Sequence, residues 1–302
     1  MRDAFISTLI KEARSNPRIE LILGDLGFKI FDNYVSEFPD RVFDCGIQEQ
    51  NMIGVAAGLS MTNRIVVTYS IANFQSLRAL EQIRNDCCYN NRNVKIVSSG
   101  AGYIYGSLGM SHHQTEDISV LRGIPNLTIL SPCDKYEGEA CTKAMLNTDG
   151  TFYLRLGRGG EECLHTGPIK DFKIGKAYKL LDGKKGCILA TGGISSFGYH
   201  IAKELGLGFA SFPTIKPLDI DLINDVASKY DYIFTLEENN VIGGFGSGIS
   251  EVLSQSKHNC VLDIIGINDE FISITGSRDY LLDKQGLSEE KIKERVIKKL
   301  GL

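Results

Sequence analysis

Short apolar runs alternate with amphipathic stretches along most of the chain. IELILGDL (19–26), RVFDCG (41–46), RIVVTYS (64–70), NVKIVSSG (93–100), LTILSP (127–132) and TFYLRLG (151–157) are too short for helices and too apolar for loops, and read as strands. Helix-like stretches of about 10 to 18 residues separate them. A second series follows the same rhythm: KAYKLL (176–181), CILATGG (187–193), GFASFPTI (208–215), YIFTLEE (232–238) and NCVLDIIG (259–266) as strands. Its helices are FGYHIAKEL (197–205), IDLINDVASKY (220–230), FGSGISEVLSQ (245–255) and EEKIKERVIKKL (289–300). The alternation predicts an α/β protein of two doubly wound domains with mainly parallel sheets and helices on both faces. Between the two series GRGGEECLHTGPIKDFK (157–173) is polar and glycine-rich, which sets the expected domains at 1–165 and 175–302.

One helix carries an unexpected charge. CGIQEQNMIGVAAGLS (45–60) is rich in small apolar residues, so its helix is expected to be buried, yet Glu49 stands in its first turn. Desolvation favours the neutral carboxyl, while the helix N-terminus favours the carboxylate. A buried Glu needs a partner, such as a nearby Arg or a backbone N–H, or a chemical task.

Charge and composition narrow the partners. The net charge of -4, with no block of Lys and Arg, argues against a nucleic-acid surface or an anionic membrane and for a small molecule or another protein. The eight cysteines form no CxxC pair and lie mostly in apolar segments, as expected in a reducing cytoplasm. The opening MRDAFISTLIKEARSNP lacks the apolar core of a secretory signal, and no run long enough to span a membrane follows, so a soluble, cytoplasmic protein is expected. GxxxxGK[ST] does not occur, and GGFGSG (243–248) has the wrong spacing for a dinucleotide loop.

Four segments of the first half hold residues that folding alone does not demand: GDLGFK (24–29), GIQEQN (46–51), SIANFQSLRALEQIR (70–84) and GSLGMSHHQTED (106–117). At the ends of parallel strands such residues meet in a ligand crevice. GIQEQNMIGVAAGLS resembles the GIAEQNMxGxAAGLA segment of transketolases. SIANFQSLRALEQIR has the spacing of their TFAxFxxxRAxxQIR, and SHHQTEDISVLRGIPN is similar to their SHQxxEDIAxMRxIPN block. Residues 1–160 resemble the pyrimidine-binding domain of that family and 175–302 its C-terminal domain.

The resemblance implies thiamine diphosphate as cofactor and assigns roles. The equivalent of Glu49 bonds N1′ of the aminopyrimidine and promotes its imino tautomer. Phe74 matches the aromatic residue that stacks on that ring, Ile71 stands where many relatives have a second aromatic, and Asp25 falls in a motif near the thiazolium. His112 matches the histidine at the substrate's reacting hydroxyl, where imidazole suits proton transfer; His113 receives no role. Arg2, Lys29 and Arg158 match substrate-phosphate positions, and guanidinium and ammonium groups suit a phosphate dianion. His112, His113 and Glu116 lack a third separated ligand, so no metal site is expected on this chain.

The departures from the family are informative. Gly100 replaces a substrate-contacting His, and Leu108 replaces an acidic residue that reads sugar hydroxyls. Both point to a deoxygenated, branched or otherwise modified sugar. The family's GDG motif, which with a following Asn binds the diphosphate and Mg²⁺ or Ca²⁺, does not occur. The expectation is therefore the C-terminal subunit of a split transketolase, completed by an N-terminal partner chain in a heterotetramer and transferring a two-carbon ketol unit from a ketose phosphate to an aldehyde. A 2-oxo acid dehydrogenase β subunit, a 1-deoxyxylulose-phosphate-synthase-like enzyme and a non-catalytic scaffold are the alternatives.

Overall fold

The computed structural model describes residues 1–302 apart from Phe28 and Ala72. The six runs of the first series form strands β1 (Ile19–Leu23), β2 (Val42–Asp44), β3 (Ile65–Ile71), β4 (Val94–Ser99), β5 (Leu127–Leu130) and β6 (Thr151–Leu156). The second series forms β7 (Tyr178–Leu181), β8 (Gly186–Ala190), β9 (Gly208–Ser211), β10 (Thr214–Lys216), β11 (Tyr232–Asn240) and β12 (Val261–Ile267). Among the described residues the first sheet runs β10-β5-β6-β4-β3-β1-β2 and the second β12-β11-β8-β9-β7, parallel throughout except for β10 and β7.

Strands covered on both faces read as unbroken apolar runs. In β1 and β3, Leu21, Leu23, Val67 and Tyr69 pack into one core with Phe5, Leu9 and Met145, whereas Ile22 and Val66 point into the opposite core with Met52, Ile53 and Ile83. That period of two places the helices Arg2–Ser15 and Lys135–Leu146 on one side and Glu49–Ser60 on the other.

The GFASFPTI run is not a single strand. Pro213 cannot donate to a ladder, and the chain leaves the second sheet there. Its continuation, β10, pairs antiparallel with β5 of the first sheet. Lys216 then donates to the Arg122 carbonyl at 2.9 Å. A residue run belonging to the second half therefore staples the two sheets together.

A polar seam completes the join. Asp117 and Arg155, both buried, form an ion pair at 2.9 Å, and Tyr153 donates its hydroxyl to the same carboxylate at 2.7 Å. Arg155 also donates to the carbonyls of Gln114 (2.6 Å) and Glu238 (2.9 Å). The Glu238 carboxylate in turn accepts from the Tyr103 N–H at 2.9 Å and from Arg278 at 2.6 Å. Every charge in this seam has a partner, as burial requires.

Candidate active site

The residues expected to carry chemistry follow the ends of strands in the first sheet: Glu49 after β2, Phe74 after β3 and His112 after β4. Glu49 opens the helix Glu49–Ser60, where Glu49, Met52, Ile53, Ala56 and Ala57 form one buried stripe at helical spacing. Val55 and Leu59 remain half-exposed, so this helix is buried along one face and not all round as its composition suggests. Glu49 itself is 1% exposed. Its carboxylate accepts from Arg78 Nη1 at 2.6 Å, so the buried charge is paired by an arginine, one of the partners its position calls for.

Arg78 and Phe74 lie one helical turn apart, and the guanidinium carbon sits 4.8 Å from the centre of the Phe74 ring. The other neighbour of Phe74 is His112, edge-on at 5.0 Å between ring centres. Ser111 Oγ lies 3.0 Å from His112 Nδ1. Glu49, Arg78, Phe74 and His112 thus form one continuous chain of contacts drawn from three separate segments. Glu49 and Arg78 line a cavity of about 350 Å³ together with Ile47, Gln48, Gln50 and Asn51.

The remaining expected residues spread along the same edge. Ile71 ends β3, half-buried. Asp25 is exposed in a left-handed conformation (φ +53°), its N–H held by Asp44 Oδ1 at 3.0 Å. Lys29 is exposed, also left-handed (φ +66°), with its N–H on Asp32. Arg2 begins the first helix beside Asp3, and Arg158 follows β6 at the mouth of a cavity of about 360 Å³ shared with Arg278 and Glu238. Phe28 of GDLGFK and Ala72 of SIANF lie outside the described residues. His113 has a structural place after all: it is buried against Tyr103, with ring centres 4.9 Å apart, and burial lowers its pKa.

Two features escape a reading of the sequence. Arg78 stands inside the RALEQIR motif, four residues after Phe74, and that spacing was the available signal for its stacking. The seam from Asp117 through Arg155 to Glu238 joins residues far apart in the chain and leaves no local trace. Among the described residues, Cys133, Glu137 and His165 form the one cluster of three possible metal ligands. Both Glu137 oxygens are already engaged, one by His165 Nε2 at 2.9 Å and one by the Cys133 N–H at 2.7 Å, so the cluster satisfies the buried carboxylate by hydrogen bonds within the chain.

Comparison with known proteins decides the family. Residues 1–160 match the transketolase pyrimidine-binding domain and residues 175–292 the transketolase C-terminal domain. The chain belongs to the transketolase family. Among curated transketolase relatives it is 36% identical to a putative transketolase C-terminal section of Methanocaldococcus jannaschii, over 99% of this chain and 96% of that protein. It is 33% identical to one of the subunits of the apulose-4-phosphate transketolase of Phocaeicola vulgatus, over 95% and 94% of the two chains. The 6-deoxy-6-sulfo-D-fructose transketolase subunit of a Clostridium species is also 33% identical, over 97% of this chain and 92% of that one. A solved structure described as a split-gene transketolase, inactive β4 tetramer, superposes over 100% of this chain and 98% of its own, with a TM-score of 0.88 and 32% identity.

Transketolases depend on thiamine diphosphate, and this chain carries the pyrimidine-binding domain. The residues present fit the chemical needs of the pyrimidine half of that cofactor, a buried carboxylate at Glu49 and a half-buried aromatic ring at Phe74, and here the Arg78 guanidinium engages both of them.

Proposed function

We propose that this chain is the C-terminal subunit of a split, thiamine-diphosphate-dependent transketolase that moves a two-carbon ketol unit from a ketose phosphate to an aldehyde. The observation that carries the proposal is the Glu49 carboxylate, buried at a helix start and joined through Arg78 to Phe74, whose ring in turn meets His112. The relatives that match this chain over nearly their full lengths and are named as sections or subunits support the split arrangement.

When bound, the cofactor supplies the nucleophilic carbon and the electron sink. Glu49 holds the proton balance at the pyrimidine ring nitrogen. Phe74 orients that ring, while Ile71 and Asp25 flank the cofactor. His112 Nε2 moves a proton at the substrate hydroxyl, and Arg2, Lys29 and Arg158 hold the phosphate. The Mg²⁺ or Ca²⁺ ligands belong to the N-terminal partner. Exposed apolar side chains around the site, Phe43, Ile47, Leu108 and Met110, support coverage by that partner.

Gly100 and the exposed Leu108 favour an unusual sugar, in keeping with relatives named for apulose 4-phosphate and a sulfonated fructose. The test is donor choice by the reconstituted complex. Turnover of xylulose 5-phosphate as efficient as that of ordinary transketolases would refute the modified-sugar reading. A second reading has support from 1-deoxy-D-xylulose-5-phosphate synthase of Bacillus cereus, 33% identical over 96% of this chain but 47% of that enzyme. Pyruvate as the preferred donor would establish it in place of the first.

A further inference from the structure

One side chain joins the two groups that the proposed cofactor chemistry uses. Arg78 Nη1 donates to Glu49 Oε2 at 2.6 Å, and the guanidinium carbon of the same residue lies 4.8 Å from the centre of the Phe74 ring. A guanidinium is planar, carries its N–H donors in that plane and presents a flat face to an aromatic ring. An aminopyrimidine is recognised in the same way, by a polar group at its edge and an aromatic ring on its face. Arg78 therefore gives Glu49 and Phe74 the same pair of contacts that the heterocycle would give them.

The backbone on either side of Arg78 is anchored, but its side chain is not. Gln75, one turn earlier, is fully buried and tied to two strands, accepting from Thr68 Oγ1 at 2.9 Å and donating to Ser98 Oγ at 3.1 Å. Ala79, the next residue, is fully buried as well. The Arg78 side chain is 47% exposed, against 1% for that of Glu49. Rotation about its own torsions can thus carry Arg78 off Glu49 into solvent, while Glu49 stays in place. A buried carboxylate left unpaired is costly, so the ion pair also protects Glu49 whenever no ligand meets it.

We infer that Arg78 is a displaceable stand-in for the aminopyrimidine: its guanidinium pairs with Glu49 and packs on Phe74 until the cofactor binds, and leaves both as the ring takes its place. The inference rests on the functional reading above. Cofactor binding is then an exchange of one flat donor for another. The measured affinity is lowered by the fraction of molecules in which Arg78 holds the two groups.

The test is calorimetric titration of thiamine diphosphate, at saturating Mg²⁺, into the complex reconstituted with its N-terminal partner. Arg78→Met removes the donors and the charge, and should bind the cofactor about tenfold more tightly than the parent, the change expected if Arg78 holds the two groups in about nine molecules of ten. The thermal midpoint of the variant complex without cofactor should fall, and its rise on adding cofactor should exceed that of the parent. Arg78→Lys keeps a counter-charge for Glu49 but lacks the flat fork, so its affinity should lie between the two. Unchanged or weaker binding in both variants, with the parent complex binding the cofactor, would overturn the exchange while leaving the transketolase reading intact. Absence of binding by the parent complex would overturn that reading and the exchange with it.

Discussion

At Glu49 the proposed chemistry and the folding of the chain meet. Its burial at a helix start beside Arg78 means that two substitutions test the two contributions separately. Glu49→Gln keeps size and hydrogen-bonding capacity but removes the carboxylate to which the proposal assigns the proton transfer. Turnover by the reconstituted complex should fall by about two orders of magnitude or more with little change in thermal midpoint. Steady-state kinetics alongside a melt decides it, and retained activity would remove Glu49 from the mechanism. Arg78→Ala has the opposite signature: it leaves a buried carboxylate without its counter-charge, and should lower stability by about 3 kcal/mol in a chemical-denaturation measurement. The expected partners of Glu49 included an arginine, but which arginine became visible only when two segments folded against each other.

Elements were legible where neighbouring residues decide them. The runs in β1, β3 and β8 are buried almost throughout and their mainly apolar sequences say so, whereas β4 is buried throughout although Lys95, Ser98 and Ser99 make half of it polar. The destination of β10 was not legible, because Thr214, Ile215 and Lys216 carry no mark of which sheet they join. The same holds for the loop after β4, whose glycines announce a turn but not the Tyr105 ring and Glu238 carboxylate pressed against them. Glu49, Phe74 and His112 were picked out by the resemblance of their motifs to a known family, and the structure brings them into one chain of contacts; the seam from Asp117 through Arg155 to Glu238 left no such trace. That seam gives an element-level prediction. Asp117→Ala orphans the buried Arg155 guanidinium and removes the acceptor of Tyr153, so stability should fall by about 3 to 5 kcal/mol. A loss below about 1 kcal/mol in equilibrium unfolding would show that the seam is not a stabilising join.

Across the whole molecule, the connection between the halves makes stability depend on pH. His165, in the segment joining them, meets Glu137 of the first half, and the N–H groups of Leu164 and His165 are held by Asp134. Burial acts to lower the His165 pKa, but the hydrogen bond and charge of Glu137 outweigh it and raise the pKa above 6.5. A raised histidine contributes stability fully present below about pH 6.5 and lost as pH rises through its folded value. The thermal midpoint should therefore decline as pH climbs from about 6.5, and His165→Gln should flatten that slope. His200 is raised in the same direction by Glu162 and Glu289, despite the lowering effect of burial, so the comparison between variant and parent isolates His165. An identical slope in both would refute the assignment. The proposed division of the active site between two chains also belongs to this scale. This chain offers the pyrimidine side, a carboxylate and an aromatic face, and the proposal leaves the diphosphate and metal to a partner. Calorimetric titration of thiamine diphosphate with Mg²⁺ into this chain alone, and into its mixture with the N-terminal partner chain, tests that division most directly. Binding in the mixture and none to the chain alone is the predicted result; tight binding to the chain alone would contradict a site shared between two chains.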